Sequence, residues 1–239
     1  MARIIIALFI TGFLVSCKSD AQSWSGIKGE GEVVKEDISL ESLKGINLGF
    51  DGDVVLTPGS TQKITIEGQK NIIDNIKRDV KNGSWNIVFD KNVREAKGVT
   101  VYITLTNLEE VNLSGSGSIR STGKFTGLKD LDIHVSGSGA ITLDYDATST
   151  DLSLSGSGEI DLNGTSKSLE VSISGSGDVN AKGLVTDDCS IHISGSGDAS
   201  VQANKNLETH ISGSGDVAYS GTASVTTRIS GSGEVTRIK

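Results

Sequence analysis

Cysteine, proline and aromatic residues are scarce in this 239-residue chain, and positive charge does not dominate it. Two cysteines rule out a disulfide-dense scaffold. The 22 basic residues are outnumbered by 30 acidic residues, for a net charge of −8, so the basic footprint of a nucleic-acid-binding protein is absent. Thirty glycines without a Gly-x-y period also exclude a collagen-like chain.

The longest apolar run, residues 4–15, is too short to span a bilayer as a helix, which takes about 20 residues. It follows Arg3 and ends in Leu14-Val15-Ser16-Cys17, the layout of a secretory signal peptide. These four residues resemble the bacterial lipobox, which implies cleavage after residue 16 and acylation of Cys17. An ordinary cleaved signal peptide with an incidental cysteine is the alternative. The polar, glycine-rich residues 17–31 then form a flexible tether.

An internal repeat dominates the rest of the chain. The tetrapeptide Ser-Gly-Ser-Gly recurs at intervals of 18 to 22 residues, and its seven copies begin at Ser114, Ser136, Ser155, Ser174, Ser194, Ser212 and Ser230. Aliphatic residues precede every copy, and further apolar positions alternate with polar ones on both sides of it. Period-two alternation indicates strands with one buried face. Each repeat is therefore interpreted as a strand, an SGSG corner, a second strand and a looser turn.

One such repeat cannot bury its own apolar face, whereas stacked repeats can. The sequence therefore predicts an all-β fold, a single-stranded parallel β-solenoid with right-handed winding over residues 108–239. An antiparallel meander is the alternative, but it favours Asn-Gly or Gly-Gly corners and does not need a constant period. Solenoids need capping segments, and residues 32–107 are predicted to be an N-terminal cap or degenerate coils.

Several local patterns define the predicted cap. Residues 45–54 read as a worn copy of the repeat, and residues 64–66 and 99–105 as strands. Asn71 is a candidate N-cap for a short helix, and residues 81–84, Lys-Asn-Gly-Ser, predict a hairpin turn.

Together, Gly45-Ile46-Asn47, the strand at 99–105 followed by Asn-Leu-Glu-Glu-Val, and the recurring Ile-Ser-Gly-Ser-Gly-Asp-Val resemble the head GIN domain family, also called "putative auto-transporter adhesin". The resemblance covers about residues 38–239. It implies a β-solenoid, a location in the cell envelope and an adhesin label without a defined ligand. It brings no catalytic motif, and a fold by itself does not fix function.

Two columns of polar residues could hold a metal ion. Asp178, Asp198 and Asp216 occupy equivalent positions after the SGSG corner, where they could bind Ca²⁺ or serve as turn acids that accept backbone N–H bonds. His134, His192 and His210 share a position before it. His192 and His210, with Glu170 and Glu208, could hold Zn²⁺, or they belong to an ordinary exposed polar column. No metal ligand or cofactor is assigned.

An enzyme is not expected. Cys189 occupies a position filled by leucine or valine in other repeats, which predicts a buried and unreactive thiol. Repeats this short leave no long loops to build a cleft with a desolvated carboxylate, as glycan hydrolysis requires. Trp24 lies in the tether and Trp85 in the cap, so the solenoid face offers almost no aromatic platform for sugars.

These observations favour a non-catalytic, lipid-anchored envelope protein that presents a rigid face to an unidentified protein or glycan. Its predicted contact with the membrane is through the lipid on Cys17, as an outer-membrane lipoprotein that faces either the periplasm or the cell surface. A periplasm-facing structural or envelope-maintenance lipoprotein is the main alternative, and a polysaccharide-active enzyme is the third hypothesis.

Overall fold

The computed structural model describes residues 26–238. This range excludes the predicted signal peptide, the lipobox with Cys17 and most of the predicted tether. Within it, no helix is long and apolar enough to cross a membrane.

The seven SGSG repeats stack as parallel strands. Their bounds are β10 (Glu110–Gly115), β11 (Ser118–Ser121), β12 (Phe125–Gly137), β13 (Ala140–Gly156), β14 (Glu159–Gly175), β15 (Asp178–Gly195), β16 (Ala199–Gly213), β17 (Val217–Ser220), β18 (Ser224–Gly231) and β19 (Val235–Arg237). All their mutual pairings are parallel, and the first serine of each SGSG copy faces that of the next, from Ser114↔Ser136 to Ser212↔Ser230. The predicted parallel β-solenoid is therefore confirmed, and the antiparallel meander is wrong.

The looser turn expected in each repeat does not interrupt the strands of the central coils. In β13 and β14 the ladder continues through that region, with Asp146 paired to Thr165 and Ala147 to Ser166. Bulges, such as the shift between Asp161 and Asn163, bend the chain instead. A bulge turns a strand while most of its backbone hydrogen bonds stay in place, so these coils close with fewer unpaired groups than a free turn would leave.

The SGSG corner depends on the first of its two glycines. At Gly137, Gly156, Gly175, Gly195 and Gly213 the φ angle lies between 120° and 137°, a region open almost only to glycine. Each of these residues also lies on the backbone of the equivalent glycine one coil earlier, which a Cβ atom would meet. Close stacking of coils at this edge therefore requires glycine twice, for conformation and for space.

The cap continues the parallel stack and also contains two groups of antiparallel strands. Its elements are β1 (Ile27–Lys28), β2 (Val33–Ile38), β3 (Gly45–Leu48), β4 (Asp53–Pro58), β5 (Lys63–Gln69), α1 (Lys70–Ile73), β6 (Val80–Lys81), β7 (Ser84–Ile87), β8 (Val93–Glu95) and β9 (Thr100–Leu105). Strands β3 and β4 pair in parallel with β10 and β11, which confirms the worn repeat at residues 45–54. Strands β2, β5 and β9 pair antiparallel, and β6 pairs antiparallel with β7.

Of three local predictions for the N-terminal part of the chain, one is confirmed and two are wrong. The hairpin turn at residues 81–84 is confirmed, with Asn82 and Gly83 at φ 53° and 81°. The N-cap assignment of Asn71 is wrong: the helix begins at Lys70 after Gln69, and Asn71 instead accepts the Glu30 backbone N–H and donates to the Lys28 carbonyl. The predicted tether also extends too far, because β1 pairs with β8 at residues 27–28.

One continuous apolar core joins cap and coils. Tyr145 is fully buried within it, and its hydroxyl has no partner with good hydrogen-bond geometry among the described residues. Burial raises the pKa of this phenol, although the nearby Thr150 hydroxyl lowers it in part. An unpaired buried hydroxyl costs about 1–3 kcal/mol in desolvation.

We expect Tyr145→Phe to leave stability unchanged or raise it by up to about 1 kcal/mol, because the phenyl ring keeps the packing and the substitution removes the unpaired hydroxyl. Urea denaturation of both proteins measures this. A loss of more than about 1 kcal/mol would mean that the hydroxyl makes a stabilising hydrogen bond.

Candidate binding groove

A surface groove runs along the stacked corners, parallel to the solenoid axis. We call it the corner groove. Because successive side chains of a strand point to opposite faces, the residue two before each SGSG copy and its first serine project outward as two ridges. Between the ridges the main chain of an apolar residue forms the floor, because the side chain of that residue points into the core. One ridge comprises Asn112, His134, Ser153, Ser172, His192, His210 and Arg228, and the floor comprises Leu113, Val135, Leu154, Ile173, Ile193, Ile211 and Ile229.

The groove has two connected stretches. One of about 730 Å³ extends from Ser153 to Ser230, and one of about 390 Å³ extends from Asn47 to Ser155. Its floor is closed by buried side chains along most of its length, whereas Ile229 is 42% exposed in the last coil. The groove is thus an open channel with a main-chain floor over most of its length and with walls of polar, mostly hydroxyl-bearing side chains.

An acid ladder flanks the first half of this groove, on the same face of the strands. It consists of Glu110, Asp132, Asp151 and Glu170, which face one another in consecutive coils at the strand spacing of about 4.8 Å. Two unit charges about 4 Å apart repel by about 1 kcal/mol even in bulk water. Within residues 26–238 no member of the ladder forms an ion pair, although the cap pairs many of its acids with lysine, as in Lys28–Glu95, Lys35–Glu67, Lys44–Glu109 and Lys63–Asp37.

The predicted histidine column is present, and its members interact with one another. His134 is separated from His192 by Ser153 and Ser172, whereas His192 and His210 are adjacent. Arg228 Nη1 lies 2.7 Å from His210 Nε2, and His210 Nδ1 lies 3.1 Å from His192 Nε2. Arginine can only donate, so His210 accepts this bond at Nε2, while its Nδ1 shares a hydrogen bond with His192 Nε2.

Of the two carboxylates expected beside these histidines, only Glu208 is there. Glu208 Oε1 lies 3.4 Å from both His210 Nε2 and Arg228 Nη1, whereas Glu170 is in register with Ser190. No group of three metal-ligating side chains forms within residues 26–238.

The acids that follow the SGSG corner act as hydrogen-bond acceptors. Asp178 Oδ1 accepts the Asp198 backbone N–H at 3.2 Å, and Asp198 Oδ1 accepts that of Asp216 at 2.8 Å. Asp216 Oδ1 accepts the Glu234 N–H in the same way, at 2.8 Å. These acids therefore accept backbone N–H bonds, as turn acids do, but each donor is the equivalent acid of the following coil and not the glycine-rich corner.

Cys189 is buried in register between Leu169 and Leu207, as predicted. Burial raises the pKa of its thiol to about 12. Only the thiolate is nucleophilic, and at pH 8 the folded protein holds almost none of it.

We expect a chain starting at residue 26 to react with a thiol reagent at pH 8 only after it unfolds. The measurement compares labelling in buffer and in denaturant, with free cysteine as the positive control. Rapid labelling of the folded protein would show that the coil opens locally and exposes the thiol.

A cleft between the cap and the first SGSG corner was missed by the sequence reasoning. Phe50 and Phe89 stack with ring centroids 4.1 Å apart and an interplanar angle of 17°, in a cleft of about 1180 Å³ that also contacts Asp53, Arg94 and Lys97. Phe50 replaces the small corner residues of the regular coils, and Phe89 comes from the segment between β7 and β9. The signal was an aromatic residue at a corner position of the worn repeat, but Phe89 is brought to it only by tertiary structure.

The fold described above is shared with known proteins. The family model described as "Putative auto-transporter adhesin, head GIN domain" matches residues 42–223, and no curated protein matches the chain. Among solved structures, a "putative adhesin" from Bacteroides fragilis is 23% identical, with a TM-score of 0.82 over 89% of this chain and 100% of that one.

Two structures from Parabacteroides distasonis are also similar. A "putative adhesin" has 25% identity and a TM-score of 0.70, over 90% of this chain and 100% of that one. A "Putative lipid binding protein" has 23% identity and a TM-score of 0.75, again over 90% and 100% of the two chains. The family model covers most of the chain and the fold is shared throughout, so this protein belongs to the head GIN domain family.

Proposed function

We propose that the protein is a non-catalytic, lipid-anchored binding module of the bacterial envelope that presents the corner groove to an external partner, as an adhesin does. The observation that carries the proposal is the corner groove, a continuous surface channel repeated coil by coil on a rigid parallel stack. The family and the described adhesins among its structural neighbours support the same class. The lipobox at Cys17 supplies the anchor.

Surface hydrogen bonds lower the pKa values of several described carboxyl groups. A general acid of a glycosidase needs a raised pKa. Here the displaced carboxyl pKa values are lowered: Lys70 holds down the pKa of Glu36, Thr65 that of Asp37, and Tyr102 that of Glu67. Hydrogen bonds from Lys28 and Lys124 do the same for Glu95 and Asp146.

Proteinase treatment of intact cells, followed by immunoblotting, tests the location. We expect the domain to be degraded while a periplasmic control protein survives. Protection until the outer membrane is opened would overturn the adhesin proposal and favour a periplasm-facing structural role. A Cys17→Ala variant tests the anchor, because loss of the acyl chains should release the protein from the membrane fraction.

Adherence tests the function itself. Cells that display the protein are compared with a deletion strain for attachment to host matrix proteins, neighbouring cells, envelope glycans and lipid vesicles, the last because one relative is described as lipid-binding. Equal attachment of both strains to every surface would overturn the proposal.

A further inference from the structure

We infer that the cleft between the cap and the first SGSG corner binds sugar units of a neutral glycan, with the Phe50–Phe89 pair as its stacking platform. The cleft is separate from the corner groove, so the inference goes beyond the proposed function and does not depend on it. Three observations carry it: a long loop that builds the cleft, a partly exposed aromatic pair inside it, and two charged side chains in its wall that form no ion pair in the described part of the chain.

One wall of the cleft is a loop that is longer than an SGSG corner. Ile87 lies in the same stacked column as Leu113, and Thr100 lies in the same column as Ser118. Between these two columns the SGSG corner takes four residues, whereas the cap takes twelve, residues 88–99, which we call the corner loop. Binding sites are often built from such loops on a rigid scaffold, and here the extra residues make room for a cleft.

Buried amide side chains hold the corner loop in place. Asn75 is 7% exposed, accepts the Lys91 backbone N–H at 3.0 Å and donates to the Lys91 carbonyl at 2.8 Å. Gln69 is also buried, and it accepts the Lys97 backbone N–H at 2.9 Å. A loop that is already ordered loses less conformational entropy when a ligand binds, so the cleft is preformed, as ligand sites usually are.

The aromatic pair is only partly covered by the protein. Phe50 and Phe89 both line the cleft and both remain partly exposed. In register, Phe50 occupies the position of Gly115, the first glycine of an SGSG corner, so a large flat side chain stands where the repeat has its smallest residue. The two rings stack on each other, which fixes their orientation. An aromatic surface of this kind gains free energy when a flat apolar surface covers it, and the C–H face of a pyranose ring is such a surface.

Polar side chains in the wall match the hydroxyl groups of a sugar. Asp51 and Arg94 line the cleft, are exposed and form no ion pair within residues 26–238. A sugar hydroxyl both donates and accepts hydrogen bonds, whereas the Asp51 carboxylate only accepts and the Arg94 guanidinium only donates. Together with the aromatic pair, they can therefore bind the polar rim and the apolar face of one sugar unit.

Other ligand classes fit this cleft less well. An acyl chain needs a mainly apolar lining, whereas five glycines and five charged residues line much of this wall. A charged polymer would meet both signs of charge, since the charged residues are Asp51, Asp53, Arg94, Glu95 and Lys97. The volume of about 1180 Å³ slightly exceeds the usual range of about 300–1,000 Å³ for small-ligand pockets, which suits a short stretch of a neutral glycan.

The test measures binding of neutral hexasaccharides to the chain from residue 18 onward by isothermal titration calorimetry. The probes are linear hexamers of glucose, mannose, galactose, xylose and N-acetylglucosamine, and we expect at least one of them to bind. Phe89→Leu keeps an apolar side chain and removes the flat aromatic face. It should weaken binding of that hexamer by about tenfold, the usual size of one stacking contact with an aromatic ring.

Arg94→Ala gives an independent readout, because an exposed side chain without an ion pair can be removed with little effect on folding. It should also weaken binding by about tenfold, as expected for the loss of a hydrogen bond from a charged donor. Arg120→Ala is the matched control, since it removes the same charge from an exposed position outside the cleft. Tyr219→Leu removes a partly buried aromatic ring far along the stack. Both controls should bind as the parent does, and thermal unfolding checks that each variant remains folded.

Failure of all the hexamers to bind would overturn the inference, and so would binding that Phe89→Leu and Arg94→Ala leave unchanged. Oleate and polygalacturonate, titrated in the same way, separate the other ligand classes. If oleate alone binds and Phe89→Leu abolishes its binding, the cleft holds an acyl chain. If polygalacturonate alone binds and Arg94→Ala abolishes its binding, the cleft holds an acidic glycan. Hexamer binding in the cleft of a protein that is protected on intact cells would leave this inference standing and remove only the adhesin role.

Discussion

Gly195→Ala is expected to destabilise the protein by about 3–5 kcal/mol, because two separate costs add at this position. The backbone of Gly195 has a φ angle of 134°, where a residue with a Cβ atom is strained. A Cβ atom would also be forced against the carbonyl oxygen, carbonyl carbon and nitrogen of Gly175 in the preceding coil. All three are backbone atoms, which cannot move aside as a flexible side chain can, so the coils would have to separate.

Urea denaturation followed by circular dichroism measures this effect. The control is Ser194→Ala, one residue earlier, where an exposed hydroxyl is lost and the backbone is unstrained; it should change stability by less than about 0.5 kcal/mol. If Gly195→Ala is as stable as the control, the corner can rearrange and the glycine stack does not fix the spacing of the coils.

The repeating part of the fold was predictable because each coil has the same pattern of apolar and polar residues. One copy of Val-Ser-Ile-Ser-Gly-Ser-Gly would leave helix, strand and loop open, but seven copies at nearly constant period leave few structures that bury every aliphatic column. The register followed from the same alignment: Leu169, Cys189 and Leu207 were placed in one buried column, and the ladder pairs them directly.

The cap was less predictable because no repetition constrains it. Asn71 has the side chain of an N-cap, yet it bonds to Glu30 and Lys28, residues far away in sequence. The pairing of β1 with β8 likewise joins segments more than sixty residues apart. Local patterns cannot show which distant backbone groups a polar side chain will meet.

The candidate site was predictable in part for a similar reason. The positions of His192, His210 and the acids after the corner follow from the period, but their bonding does not. Alignment alone could not show that Arg228 bonds to His210, or that Phe89 stacks on Phe50. The columns come from the repeat, whereas the contacts depend on side-chain rotamers.

Trp85→Ala should cost about 3–5 kcal/mol, the usual range for removing a large buried aromatic side chain. Trp85 is fully buried in the cap, and its indole N–H donates to the Lys77 carbonyl at 2.9 Å. Removing it leaves both a cavity and an unpaired carbonyl. Trp85→Phe retains part of the packing, and its loss should be smaller.

The form of the unfolding curve is as informative as its midpoint. One apolar core runs from Trp85 and Ile46 in the cap through Val111 into the coils, and β3 and β4 hydrogen-bond directly to β10 and β11. Because the cap covers the first coil, the β-sheet signal of the whole chain should shift to lower urea in Trp85→Ala as one transition. Solenoids can also unfold by segments. A shift confined to a minor part of the signal, with the rest unchanged, would show that the SGSG coils remain folded without their cap.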